Sequence, residues 1–458
     1  MTWMSPLVGA WVLAAVLAFL DGRRKAVAWF AVAGMVGVLA ASLALVPAAL
    51  SGAVPQVVGG GWPVGVGIRL RADLLSVLFC VVTNVVLLGA LVCELLEGID
   101  TRSFPALVLF LSAGLTGAFL TSDAFNFYVF FELAMGAAFA LVSYGRGVSP
   151  FRAGFTFVVV NLVGSVLFLT AVVMLYQSTG TLDMGELSTW VVNPHTRRLD
   201  VAGALLLSAF GVKLGLFPFH FWAPMVYRGV STPIAAILAG ALTNIGSYGL
   251  MRFGPGLLSI ELEHANGVLA VLGAASLVYG AFLALARQVP AEVLAYSSIA
   301  QAGYLFAALG LGTTRGVAAA VLLAVSGSLD KSVLFLAMGL KGLRARAAFA
   351  AAAFSTAGLP LSLGFLAKTE LLSASMHEQR WGLTAFVVLS SVLFLVALFR
   401  TFQRLYWVAP HERGPADAAA GGVVLVLALL GVAVGVWPEP LLSLGTRVAG
   451  TLAQGDHP

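Results

Sequence analysis

Three lysines, Lys213, Lys331 and Lys368, stand inside long apolar stretches of a 458-residue chain that has only five lysines beside twenty arginines. Arginine stays protonated almost regardless of burial, whereas a lysine taken out of water can release its proton, because desolvation disfavours the charged form. A chain that uses lysine for every basic group placed inside an apolar span is suited to passing protons. Each such charge costs about 2.5–3.5 kcal/mol at the centre of a membrane span, so it calls for polar surroundings or a partner. One partner stands in "SDAFNFYVFFELAMGAAFALVSYG" (122–145), where Glu132 falls ten residues into an apolar span. At a helix rise of about 1.5 Å per residue, that is near mid-span. Glu132 and Lys213 either form a static ion pair between two helices or take part in moving an ion. The further polar residues at the same depth favour the second reading.

The surroundings of the lysines are also unusual. In "GVKLGLFPFHFWAP" (211–224), Pro218 lacks an amide hydrogen and clashes with the preceding turn, which predicts a broken helix just after Lys213. Broken backbone at membrane depth survives only where protein or water satisfies the freed carbonyls. His220 lies in the break and is either a proton-exchanging group or a hydrogen-bonded interior histidine. A second interrupted stretch, "FSTAGLPLSLGFLAKTELL" (354–372), has Ser355, Gly358, Pro360 and Gly364 loosening the helix before Lys368. In "SGSLDKSVLFL" (326–336), Asp330 precedes Lys331; helix neighbours do not face each other, so the two need not pair. Asp330 is either a carboxylate of a polar path or a group near the lipid headgroups. Asp123 and Ser326 complete the accessory candidates.

The elements that must hold these residues are membrane helices. Hydrophobic residues make up 60% of the chain and charged ones 10%, with a mean hydropathy of +0.99, which excludes a soluble enzyme or a nucleic-acid binder. Segments of roughly 17–25 apolar residues, each able to cross a core of about 30 Å, recur along the chain. The spans read as 5–20, 25–46, 73–96, 104–121, 123–144, 152–176, 201–224, 232–253, 266–286, 291–311, 315–340, 347–376, 380–407 and 417–437. The first is expected to be a retained helix, and "STPIAAIL" (231–238) a helix start capped by Thr232, with Pro233 in its first turn. Cys80 and Cys93 share the third span and are expected to be buried apolar groups, and the 51 glycines fit close helix packing. No zinc ligand set, Walker loop or dinucleotide glycine fingerprint is present in context, so no cofactor is expected and the chain points to transport.

Basic residues set the expected orientation. Loops after odd-numbered spans, with Arg400 near a helix end, carry fourteen of them; loops after even-numbered spans carry seven, Arg252 among these. The positive-inside rule puts the odd loops in the cytoplasm and both termini outside. The two breaks lie five spans apart. Paired interruptions of this kind mark internally repeated transporters, with one unit on spans four to eight and an inverted copy on spans nine to thirteen. The resulting divisions are 1–100, 101–255, 256–410 and 411–458.

On these residues the chain resembles a known family. "GAFLTSDAFNFYVFFELAMGAAFALVSYG" (117–145), "FGVKLGLFPFHFWAP" with "STPIAAILAGALTNIGSYGLMRF" (210–253), "LAYSSIAQAGYLFAALGLG" (294–312) and "STAGLPLSLGFLAKTELL" (355–372) are similar to the antiporter-like membrane subunits. These include the D subunit of multisubunit Mrp sodium/proton antiporters and the proton-pumping membrane subunits of respiratory complex I. "GGWPVGVGIRLRADLLS" (60–76), "GTLDMGEL" (180–187) and "VFFEL" look most like the Mrp D subunit. The resemblance implies an all-α polytopic protein of fourteen transmembrane helices with two inverted five-helix repeats, inside a larger membrane complex. It implies that Glu132 and Lys213 are the tuned pair of one half, Lys331 lies on a central hydrophilic axis, and Lys368 is the exit lysine of the other half. The sequence departs from the family where a lysine is usual and Asn244 stands, and where a histidine is usual and Ser326 and Gly327 stand; "FWLP" here reads "FWAPM". Asn244 would then have to be bridged by water.

Three functions follow as expectations. The first is a proton-conducting subunit of a sodium/proton antiporter in a prokaryotic plasma membrane, with other membrane subunits, protons and sodium ions as partners. The second is a proton-translocating subunit of a complex I-like or hydrogenase-like redox complex. The third is a structural subunit whose relay has decayed.

Overall fold

The computed structural model describes residues 5–59, 67–143, 148–190, 197–407 and 415–453. The opening of "GGWPVGVGIRLRADLLS" (residues 60–66) and the last five residues lie outside this set. In chain order the helices are α1 (Ser5–Phe19), α2 (Lys25–Ala44), α3 (Val46–Leu50), α4 (Leu74–Glu97), α5 (Phe104–Leu120), α6 (Ala124–Ser143), α7 (Val148–Thr179), α8 (Met184–Trp190), α9 (Arg197–Leu214) and α10 (Trp222–Gly229). They continue as α11 (Thr232–Ala236), α12 (Thr243–Phe253), α13 (Ser259–Ala286), α14 (Pro290–Leu309), α15 (Thr314–Gly339), α16 (Leu343–Ala357), α17 (Leu363–His377), α18 (Trp381–Tyr406), α19 (Pro415–Val436) and α20 (Glu439–Ala453).

Ten helical stretches among the described residues are long and apolar enough to cross a membrane, and two shorter apolar helices accompany them. The chain is a polytopic helical membrane protein. Of the other expected spans, α14 is long enough but carries Glu292, Ser297, Ser298 and Gln301, and α16 and α17 are 15-residue halves of one interrupted stretch. A two-stranded antiparallel ribbon, β1 (Gln56–Val58) against β2 (Arg69–Arg71), is an addition the sequence reading did not anticipate. Arg69 ties it down, donating to Ser122 Oγ at 3.0 Å and to Asp183 Oδ1 at 2.6 Å.

Helix α15 is the centre of the molecule. Every residue from Gly316 to Ala337 is buried, the polar Ser326, Ser328, Asp330, Lys331 and Ser332 among them. Around it pack α4, α11, α12, α14, α16, α17, α19 and α20. Thr313 starts it by accepting the amide of Gly316 at 3.1 Å. Close approach elsewhere depends on glycine: a Cβ on Gly303 of α14 would meet the Gly273 carbonyl oxygen of α13 at 2.7 Å.

The two predicted breaks are present. Helix α9 ends at Leu214, Gly215 takes a φ of +67°, and a 3-10 turn at Phe219–Phe221 follows Pro218 before α10 begins. Helix α16 ends at Ala357, and Gly358, at φ +83°, turns the chain toward α17. A third irregularity was not foreseen: a π-helical turn, Ile237–Leu242, joins α11 to α12 and immediately precedes Thr243 and Asn244.

Two local expectations are corrected, and one helix is added. The residue capping α11 is Ser231, with Thr232 already helical and Pro233 in the first turn. Arg252, assigned to a loop, is buried at the end of α12, where it donates to Asp73, the cap of α4, and to Ser76 Oγ at 3.2 Å. After the last expected span lies α20, an amphipathic helix with Gly445, Val448, Ala449 and Leu452 buried and Arg447 bonded to the Leu50 carbonyl at 3.1 Å. Cys80 and Cys93 are free and buried.

Candidate functional site

The three interior lysines are buried, at 6% exposure for Lys213, 8% for Lys331 and 6% for Lys368. Lys213, next to the last residue of α9, donates from Nζ to the Asn161 carbonyl at 3.1 Å and to Ser165 Oγ at 3.3 Å, both on α7. Its ammonium sits 4.0 Å from the centroid of the Phe131 ring on α6. Space for it comes from Gly164, where a Cβ would press on Lys213 Cε at 3.3 Å.

Glu132 follows Phe131, but no contact ion pair joins it to Lys213 among the described residues. Its Oε1 is buried without a hydrogen bond, and the lysine's donors are turned to α7. Glu132 is the residue after the ring on which the Lys213 ammonium rests.

Lys368, on α17 beyond the second break, has the same kind of seat. Its Nζ donates to the Thr356 carbonyl at 2.8 Å and to Ser391 Oγ at 2.9 Å, and lies 4.7 Å from the Tyr304 ring centroid. A carbonyl, a serine hydroxyl and an aromatic face thus hold each lysine beside a broken helix.

Lys331 lies on α15. Its Nζ donates to Thr243 Oγ1 at 3.0 Å, and Thr243 donates to the Ala239 carbonyl at 2.7 Å. Thr243 also lines, with Lys213 and Asn161, a cavity of about 10 Å³, close to the least volume that admits one water. A second cavity of about 20 Å³ is walled by Lys331, Asn244, Ser247, Ser298 and Gln301, and the buried Gln301 Oε1 has no partner. Both cavities can take a bridging water with polar neighbours.

Asp330 is buried at 5% exposure and accepts the Ser355 hydroxyl at 2.7 Å. Asn244 donates to Thr83 Oγ1 and Ser328 Oγ, each at 2.9 Å, tying α12 to α4 and α15. The remaining candidates make local contacts. His220 packs against the rings of Tyr279 at 4.5 Å and Phe217 at 5.5 Å. Asp123 caps α6 through the Asn126 amide at 2.6 Å, and Ser326 bonds back to the Leu323 carbonyl at 3.2 Å. Sequence reasoning missed Thr243, Asn161, Ser165 and Ser391 as parts of the site, because buried serines, threonines and asparagines are too common in membrane helices to stand out.

The model of the family described as NADH:quinone oxidoreductase/Mrp antiporter, TM, matches residues 121–394, more than half of the chain. The chain belongs to this family. Within it, the chain is 29% identical over 456 residues to the Na(+)/H(+) antiporter D subunit of Alkalihalophilus pseudofirmus, covering 93% of this chain and 91% of that protein. The fold is similar to a chain of the Mrp complex from Dietzia sp. DQ12-45-1b, with a TM-score of 0.89 and 26% identity over 98% of this chain and 96% of that one. It is also similar to a chain of the membrane-bound sulfane sulfur reductase, an archaeal respiratory membrane complex, with a TM-score of 0.85 and 25% identity over 98% and 97%. The NADH:quinone oxidoreductase/Mrp antiporter match encloses Glu132, Lys213, Asn244, Lys331 and Lys368.

Proposed function

We propose that this chain is the proton-conducting subunit of a multisubunit monovalent cation/proton antiporter in a prokaryotic plasma membrane. The observation that carries the reading is the set of buried lysines Lys213, Lys331 and Lys368, with Lys331 bonded to Thr243 and water-sized cavities beside Lys213 and Lys331. An opposite charge held near a buried amine keeps it protonated, and moving that charge away lets the proton go. A row of such amines passes protons along the row as each changes state.

Support for two inverted halves comes from the matched seats of Lys213 and Lys368 beside the two breaks. In this reading fourteen segments cross the membrane, both termini lie outside the cytoplasm, and sodium is the exchanged cation. Neighbouring membrane subunits complete the complex, and the similarity to the D subunit of a Na(+)/H(+) antiporter supports that assembly.

The test is cation-driven proton movement in inverted vesicles holding the whole complex, without an electron donor. Lys213→Ala and Glu132→Ala are expected to abolish it. Unchanged exchange in Lys213→Ala would sink the proposal and leave a structural subunit. A second reading, a proton-translocating subunit of a redox complex, is favoured by the likeness to the archaeal respiratory complex. Proton movement that starts only when an electron donor is supplied would select it.

A further inference from the structure

On α6, the residue after the aromatic ring on which Lys213 rests is a carboxylate, Glu132. Lys368 rests on Tyr304 in the corresponding way, but the residue after Tyr304 is Leu305, and no carboxylate follows on α14. The second half needs its negative charge from another element. Asp330 of α15 supplies one: it accepts the hydroxyl of Ser355, whose chain neighbour Thr356 gives its carbonyl to Lys368.

We propose that Asp330 is a proton-carrying station of the second half, standing to Lys368 as Glu132 stands to Lys213; this rests on the antiporter reading above. Asp330 and Lys331 are successive residues of α15, and their side chains diverge. Lys331 reaches Thr243 at the start of α12, whereas Asp330 accepts the hydroxyl of Ser355 near the end of α16. Helix α15 therefore presents an amine to the first half and a carboxylate to the second.

Ser355 connects this carboxylate to the broken helix. Its Oγ donates to Asp330 at 2.7 Å and accepts the Gly364 amide, in the first turn of α17, at 3.0 Å. The next residue, Thr356, gives its carbonyl to Lys368 at 2.8 Å, and its own Oγ1 is buried without a partner on the same wall. The carboxylate, the serine hydroxyl, the threonine and the lysine thus follow one another across the gap between α16 and α17.

The step balances without a co-reactant. An N–H bond of the Lys331 ammonium breaks and its proton is handed through water, since the two side chains diverge, to Asp330, where an O–H bond forms, leaving both groups neutral. The Asp330 O–H bond then breaks while an N–H bond forms on the neutral amine of Lys368, which restores the carboxylate and leaves an ammonium to discharge at the exit. The Ser355 hydroxyl orients the carboxylate and shares its hydrogen with it during transfer.

The experiment measures cation-driven proton movement in inverted vesicles holding the whole complex with Asp330→Asn, Asp330→Glu or Ser355→Ala, and with Lys213→Ala as reference. Native gels report assembly. Asparagine keeps the size of the side chain and a hydrogen bond to Ser355 but cannot carry the proton, so the rate is expected to fall by about a hundredfold. Asp330→Glu is expected to regain a large share of it, a rescue that a latch holding α16 to α17 would not require. Native rates in Asp330→Asn overturn the proposal, and so does an assembled Asp330→Glu complex as inactive as Asp330→Asn. Should Asp330→Asn fail to assemble, Ser355→Ala decides: a rate lowered severalfold supports the proposal and a native rate overturns it. Loss in Lys213→Ala with native rates in Asp330→Asn removes this inference alone; native rates in Lys213→Ala remove the antiporter reading itself.

Discussion

Lys331 Nζ and Thr243 Oγ1 lie 3.0 Å apart although 88 residues separate them in the chain, and this hydrogen bond joins the central lysine to the wall of the Lys213 cavity. Among the described residues, the threonine hydroxyl is the acceptor that Lys331 meets on the side of the first half, and its own hydrogen goes to the Ala239 carbonyl.

Thr243→Val keeps the shape of the side chain and removes the hydroxyl, leaving the lysine without its acceptor at a cost of about 1–3 kcal/mol. The complex is expected to assemble and its exchange rate to fall about tenfold or more, because about 1.4 kcal/mol is a factor of ten in an equilibrium. Vesicle assays of the purified complex check this, and native exchange would show that protons leave the Lys213 cavity by another wall.

Gly358→Ala tests the second break. At φ +83° any side chain is strained by about 1–2 kcal/mol, and a Cβ there would stand 2.8 Å from Lys368 Cδ. The lysine is expected to be pushed off the Thr356 carbonyl, with exchange reduced about as far as in Lys368→Ala while assembly persists. Retained exchange would mean that the seat of Lys368 adjusts without loss.

Asn244 separates a structural tie from a relay position. Its two donor bonds join three helices, so Asn244→Leu leaves Thr83 and Ser328 without a donor partner. Thermal unfolding of the solubilised complex is expected at lower temperature, with a loss of about 1–3 kcal/mol. Exchange at permissive temperature is expected to stay within about threefold of native, since an amide does not titrate. Abolished exchange at unchanged stability would place Asn244 in the proton path.

The pair of Arg252 and Asp73 holds α12 to α4 away from the lysines, with Tyr248 taking a further bond from Arg252 at 3.1 Å. Removing one partner of a buried pair costs about 3–5 kcal/mol, whereas replacing both can be nearly neutral. Arg252→Gln is expected to reduce the assembled complex sharply, and Arg252→Gln with Asp73→Asn to recover part of it. Equal yields of the single and double variants would show that the charge itself is unimportant.

The sequence by itself determined the solvent and the breakpoints. Apolar length dictates membrane helices because backbone polar groups in lipid must bond within their own helix, and Pro218 and Gly358 stop helices by local sterics that no packing removes. Burial cost alone picked out Glu132, Lys213, Lys331 and Lys368, since charge in an apolar run is rare enough to be noticed. The tertiary structure decided what those groups touch. That Lys213 turns from Glu132 to α7, that Asn244 is a tie, and that Asp330 and Lys331 serve opposite sides of α15 depend on contacts across dozens of residues. Hydrogen-bond partners of that kind are chosen by packing geometry. The sequence names donors and acceptors, but only the assembled helices bring one particular pair within about 3 Å.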